Sequence, residues 1–166
     1  MITKIASASI AAIFLAKERF KITGIIFDKI ANRIYQNHPY MADRLQPIIG
    51  SSFFINITNL PFNVFFTVEK NGMSVKALHN SEKPAADLHI SSDLTSLIEI
   101  FEGCEDGDAL FFSRRLQIKG NSEALVTLRN AIDSEDVNLV DEISTLFGVF
   151  ANPAKKVINK FRQYVC

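Results

Sequence analysis

From residue 18 to 37 isoleucines recur every fourth position, at Ile22, Ile26, Ile30 and Ile34, with Lys21, Lys29 and Arg33 between them. That spacing predicts an amphipathic helix. Pro39 then opens a second short helix to about Gln46, so the first fifty residues read as helical. Between Ser52 and Ser91 the period falls to two. Phe53, Ile55 and Ile57 alternate with Phe54, Asn56 and Thr58, and Phe62, Val64, Phe66 and Val68 alternate with Asn63, Phe65, Thr67 and Glu69, which predicts two strands. Lys70-Asn71-Gly72 supplies an Asn-Gly hairpin signal into a third strand with Met73, Val75 and Ala77 on one face. After Pro84, Ala86, Leu88 and Ile90 predict a fourth.

Helical spacing then returns. Asp93 caps a helix with Leu94, Leu97, Ile98 and Phe101 on its buried face, and Gly103 ends it. A helical turn over Ala109 to Ser113 precedes a short alternating strand, Leu116 to Lys119, which Gly120 stops. Asn121 caps a helix from Ser122 to about Ile132, with Glu123 in its first turn on the favoured side of the dipole. Ser134 caps another, carrying Leu139, Ile143, Phe147 and Phe150 on one side. Asn152-Pro153 opens a last helix with Val157, Ile158, Phe161 and Val165 inward. A run of strands followed by a run of helices argues an α+β fold, an antiparallel-rich sheet of about five strands covered by helices. The layers leave room between them for an apolar cavity. Residues 1–49 are read as a helical arm and residues 50–166 as the main domain with its C-terminal helices.

Composition sharpens this picture at a few points. The chain has 166 residues, enough for one real core, with 14 Phe, 3 Tyr and no Trp. Most of its large rings therefore carry no polar tip that must find a partner. A dry core or a greasy pocket follows. Eighteen basic and eighteen acidic side chains cancel, which leaves no overall field to gather nucleic acid. The cancellation is uneven, because residues 1–44 carry +4, residues 93–142 carry −8 and residues 143–166 carry +4. Basic ends suit an anionic membrane surface, or else they neutralise the acidic middle. Lys4 and the apolar run Ile5 to Ala16 have the layout of a short signal peptide with a poor cleavage site, and twelve residues are too few to span a bilayer. The run is read as an uncleaved apolar helix. Cys104 and Cys166 form no CxxC, so reduced thiols in a cytoplasmic protein are expected.

Candidate chemistry is sparse. The sequence has neither GxGxxG nor GxxxxGK[ST], and no GxSxG. His38, His79 and His89 lack metal-ligand spacing, and the acidic loop Glu105, Asp106, Asp108 lacks the spaced ligands of a calcium hand. No catalytic residue, metal site or cofactor is predicted, and a non-enzymatic role is expected.

One stretch carries a family resemblance. LFFSRRLQIKGN, residues 110–121, resembles the C-terminal motif of the SCP2 sterol-carrier domain, in which a phenylalanine-containing turn leads to a strand of the form L-x-I-x-G-(Asp/Asn) and then a helix. The strands, the Asn-Gly hairpin, ADLHISSDLTSLIEIFEG and the helix after Gly120 follow that family's order over roughly residues 50–132. SCP2 domains usually place a glycine before the basic residue of that strand, whereas here Arg114 precedes Arg115. The version DGDALFFSRRLQIKGN is similar to a bacterial branch, accessory factors of oxygen-independent ubiquinone biosynthesis. The resemblance implies a non-catalytic carrier holding an isoprenoid quinone precursor or other lipid, with peptidase-U32-like proteins of that route as partners and peripheral contact with the inner membrane. The alternatives are a protein-interaction module with a Phe-rich groove and a general sterol or phospholipid carrier.

The expected lipid lining is Val64, Phe66 and Val68 from the sheet, Leu97 and Phe101 from the first covering helix, Phe111 and Phe112 from the turn, and Leu116 and Ile118 from the last strand. Phe147, Phe150 and Phe161 close it from the C-terminal helices. Strand alternation puts Arg114 on the side of Leu116 and Ile118, at the rim, where a guanidinium suits a carboxylate or quinone oxygen; its competing role is a salt bridge to Glu105, Asp106 or Asp108.

Overall fold

A computed structural model describes residues 2–101 and 114–135, with side chains from Phe20 onward except Ile98, Ile100 and Phe101. The helix expected from the Ser134 cap to 150 lies outside the described residues from 136 on, as do the helix over 153–166, the turn over 109–113, Cys104 and Cys166. The described elements are α1 (Ile2–Asn37), α2 (Pro39–Arg44), a 3-10 turn (Gln46–Ile48), β1 (Ser52–Ile57), β2 (Phe62–Glu69), β3 (Gly72–His79), β4 (Leu88–Ser92), α3 (Leu94–Phe101), β5 (Leu116–Gly120) and α4 (Ser122–Ile132). The apolar run at 5–16 and the amphipathic stretch at 18–37 form one helix of 36 residues. Lys17, Glu18 and Arg19 between them are all good helix formers, so nothing interrupts the backbone ladder.

The strands make one five-stranded sheet in the order β3-β2-β1-β4-β5. The pairs β1·β2, β2·β3 and β4·β5 are antiparallel, and β1·β4 is parallel. The parallel pair arises because the chain leaves β3 at one edge and crosses to the far side of β1, arriving in the direction of β1. Ala86 falls ahead of β4. Asp87 instead accepts hydrogen bonds from the Ser52 backbone N–H and hydroxyl, both at 2.7 Å, which ties the start of β1 to the start of β4. Those bonds from Ser52, hydroxyl first, hold the Asp87 carboxyl below the usual carboxylate range.

The hairpin differs in one detail from its sequence reading. Glu69 pairs with Gly72, so the two-residue loop is Lys70-Asn71 and the glycine belongs to the strand. A Cβ on Gly72 would sit 2.2 Å from the Asn32 side-chain oxygen. The glycine leaves room for the Asn32 side chain at this close approach of α1.

That approach is part of a regular match between α1 and the edge strand β3. Phe20 packs edge-on against His79. A Cβ on Gly24 would lie 3.0 Å from the Ala77 nitrogen. Asp28 Oδ1 accepts from Val75 N at 2.9 Å. Asn32 Oδ1 accepts from Met73 N at 2.9 Å while its Nδ2 donates to Met73 O at 2.7 Å. The Tyr35 hydroxyl donates to Lys70 O at 3.2 Å. Four helical residues rise about 6 Å and two strand residues about 6.6 Å, so the two elements stay in step over four repeats. Asp28 and Asn32 do for β3 what a sixth strand would do.

The helices pack on one face of the sheet. Ile34, Tyr35, Met41, Leu45, Ile48, Leu97, Ala124, Leu128 and Ala131 join Phe53, Ile57, Val68, Leu88, Ile90 and Leu116 in one buried cluster. Phe53 is fully buried and stacks on Phe66 at 4.6 Å between ring centroids. The helix starts are held by the residues expected to cap them. Asp93 Oδ1 accepts from Ser96 N at 2.9 Å and Asn121 Oδ1 from Ala124 N at 3.1 Å. Burial raises the Asp93 carboxyl, but the Ser96 hydroxyl and N–H and the nearby Arg115 charge outweigh it, leaving the group below its ordinary range. At the far end of α4, Glu135 lies 3.2 Å from His38 Nδ1 and fastens that end to the α1–α2 junction.

Candidate lipid-binding face

The register of the five strands defines rows of side chains across the inner face. One row reads Ala77, Val64, Ile55, Ile90, Ile118, a residue from every strand and none of them polar. The row beside it reads Val75, Phe66, Phe53, Leu88, and the row on the other side Phe62, Ile57, Ser92, Leu116. In a solid core the centre of a central strand is its most buried part. Here β1 does the opposite: Phe53 is 0% and Ile57 6% exposed, while Ile55 between them is only half-buried. Val64 and Ile118 on the same row are half-buried too, and Ile90 at 8% is more exposed than Leu88 at 0% or Ser92 at 1%. An accessible apolar strip thus runs across the middle of the sheet, with closed packing along β1 and β4 on either side of it.

Of the residues expected to line a lipid site, Val64, Phe66, Val68, Leu97, Leu116 and Ile118 all belong to this side of the sheet, in the buried cluster or against it. Val68, Leu97 and Leu116 are buried, at 1%, 7% and 7% exposure, and Val64, Phe66 and Ile118 border the strip. Sequence reading missed Ile55, Ile90 and Ala77. Their signal was present in the alternation, but only the register shows that they continue the row of Val64 and Ile118. Phe101 lies in α3 with its side chain outside the description, and Phe111, Phe112, Phe147, Phe150 and Phe161 lie outside the described residues.

Arg114 departs from its expected geometry. β5 begins at Leu116, and Arg114 has φ 61° in an exposed turn, so alternation does not aim its side chain. The left-handed conformation costs a residue with a Cβ about 1–2 kcal/mol and a glycine nothing. This is the position where SCP2 domains usually carry glycine, and the backbone geometry explains that preference. Arg114→Gly is expected to raise stability by about 1 kcal/mol, read as a higher urea midpoint at unchanged slope. Its neighbour is the anchored residue. Arg115 Nη2 lies 2.8 Å from Glu99 Oε2, a close ion pair whose angle falls short of a hydrogen bond, and the Arg115 carbonyl accepts from the Ser92 hydroxyl at 2.8 Å.

The outer face is not plain solvent surface. Phe54 is 3% exposed and lies 5.4 Å from the His89 ring. Asn56 Nδ2 donates to the Ser91 hydroxyl at 2.8 Å, while Asn63 is fully buried with neither amide atom hydrogen-bonded. Among the described residues no group of three or more His, Cys, Asp or Glu is placed to hold a metal ion. No described helix is long and apolar enough to cross a membrane.

The described residues thus form an α+β fold, an open five-stranded sheet with a partly accessible apolar strip across one face. The chain belongs to the SCP-2 sterol transfer family, whose pattern it matches over residues 27–133. Within that family it is similar to the ubiquinone biosynthesis accessory factor UbiT of Escherichia coli, at 36% identity over 70 residues, 42% of this chain and 38% of the relative. The similarity thus spans well under half of the relative's length. Two solved structures share the fold. A UbiJ-SCP2 ubiquinone synthesis protein superposes with a TM-score of 0.55 at 12% identity, covering 68% of this chain and 90% of its own. A conserved hypothetical protein from Thermus thermophilus superposes at 0.51 and 17% identity, covering 72% and 84%.

Proposed function

We propose that this protein is a non-catalytic carrier that holds a polyprenylated quinone precursor on the inner face of its sheet and serves ubiquinone biosynthesis as an accessory factor. The observation that carries the reading is the half-buried Ile55 between two buried neighbours on the central strand, which marks apolar surface left for a guest. The similarity to UbiT supports the choice of a quinone precursor. Each methylene moved from water onto such a strip contributes about 0.8 kcal/mol, so a few isoprene units supply the roughly 8 kcal/mol of micromolar binding. With no polar group on the middle row, head-group choice falls to the rim. Arg114, two residues ahead of Leu116 and held in a costly conformation, is the proposed rim group; strain of that kind concentrates where function requires it. In this reading the protein acts in the oxygen-independent route, works with peptidase-U32-like proteins, and touches the cytoplasmic side of the inner membrane through the basic, apolar α1.

Native mass spectrometry of gently purified protein tests the reading. A co-purified isoprenoid, displaced by added ubiquinone precursor, is the expected result. A mass that never exceeds that of the bare chain, and that gains only protein partners, would favour the interaction-module alternative and overturn the carrier.

A further inference from the structure

At the β3 edge of the sheet a groove of about 450 Å³ runs between α1 and β3, with Phe20, Ile25, Val75, Ala77 and Leu78 in its lining. Its size falls in the range of small-molecule sites. Three lysines, Lys21, Lys29 and Lys76, stand among its walls, and the single carboxylate there, Asp28, already accepts from Val75 N at 2.9 Å and from Asn32 Nδ2 at 3.3 Å. The lining is therefore mostly apolar, with lysines outnumbering the one carboxylate. Next to it α1 leaves Ile22, Ile25 and Ile26 at 59%, 56% and 42% exposure, so greasy surface continues past the lip.

The shape decides what fits. At Gly24 the helix and the strand touch backbone to backbone, since a Cβ there would lie 3.0 Å from Ala77 N and 3.6 Å from the Lys76 Cα. The groove's volume of about 450 Å³ takes an alkyl chain but little more than one turn of a partner helix about 10 Å across. We infer that the α1–β3 groove at the edge of the sheet is a second amphiphile site, taking a single alkyl chain with an anionic head: the chain lies over Ile25 and Leu78, and Lys29 and Lys76 hold the carboxylate or phosphate. Hydrophobic contact supplies the binding and the lysines select the charge.

Laurate, kept below its micelle concentration, tests this on the full chain by heteronuclear NMR. The expected result is saturable shifts at Ile25 and Leu78, with about tenfold weaker binding in the exposed double variant Lys29→Glu, Lys76→Glu and near wild-type binding in Lys29→Arg, Lys76→Arg. Dodecanol, the uncharged analogue, should move these signals far less than laurate does. Three outcomes would overturn the assignment: shifts confined to Ile55, Val64 and Ile118, equal shifts with dodecanol, or shifts seen only with anionic phospholipid vesicles. The last would identify this surface as a membrane-docking face. Because the reporters of the groove and of the inner face are different residues, loss of one site is read independently of the other.

Discussion

Replacing Gly120 by alanine is expected to cost about 3–4 kcal/mol, from backbone strain and from steric overlap of similar size. Gly120 has φ 113°, a conformation that side chains rarely adopt, and a Cβ there would lie 2.1 Å from the Asp87 carbonyl oxygen and 3.2 Å from the Leu88 Cα. Both neighbours are backbone atoms, so no side chain can swing away. The same carbonyl accepts from Asn121 N at 2.9 Å, and Asn121 caps α4. The substitution therefore strikes the end of β5, the start of β4 and the start of α4 together. Urea unfolding of wild type and variant measures it, and a loss under 1 kcal/mol would mean that the β4–β5 register is wrong.

Filling the accessible strip should do the reverse, removing lipid while sparing stability. In Val64→Phe, Ile118→Phe the added rings enter surface that is open on the middle row, so overpacking strain should stay under about 1.5 kcal/mol. A guest that loses contact with two or three methylenes' worth of wall loses about 2 kcal/mol, or roughly thirtyfold in affinity. Displacement of a fluorescent isoprenoid reads this directly. Undiminished binding in a folded double variant would show that the strip does not hold the lipid. Phe53→Ala is the contrasting control, since that ring is fully buried and its removal should unfold before it unbinds.

Much of the frame is visible in the chain itself. Period-two alternation placed β1, β2, β3 and β5, and Asp93 and Asn121 were legible as caps because those side chains act on N–H groups three residues away. What local pattern could not supply was anything set by a distant neighbour. The parallel union of β1 and β4 joins residues 35 apart, and alternation is blind to direction. Gly72 looked like a turn residue, yet it also makes room for the side chain of Asn32, 40 positions earlier. Gly24 in mid-helix and the polar pair Asp28 and Asn32 fall outside the isoleucine repeat that marked the helix; they are where α1 meets the backbone of β3. The proposed strip was half legible for the same reason, since Val64 and Ile118 are apolar in sequence but join one row only through pairing across two intervening partners, Ile55 and Ile90. Arg114 shows the converse, because two residues of presumed strand carry no direction once the backbone turns left-handed.

The contacts of Asp28 and Asn32 with Val75 and Met73 reach beyond the stability of one molecule. A bare outermost strand is a template on which another chain can add, and a greasy strand such as β3 invites fibrous growth. By occupying those amide and carbonyl groups with side chains, the long helix blocks the addition of another strand along that flank.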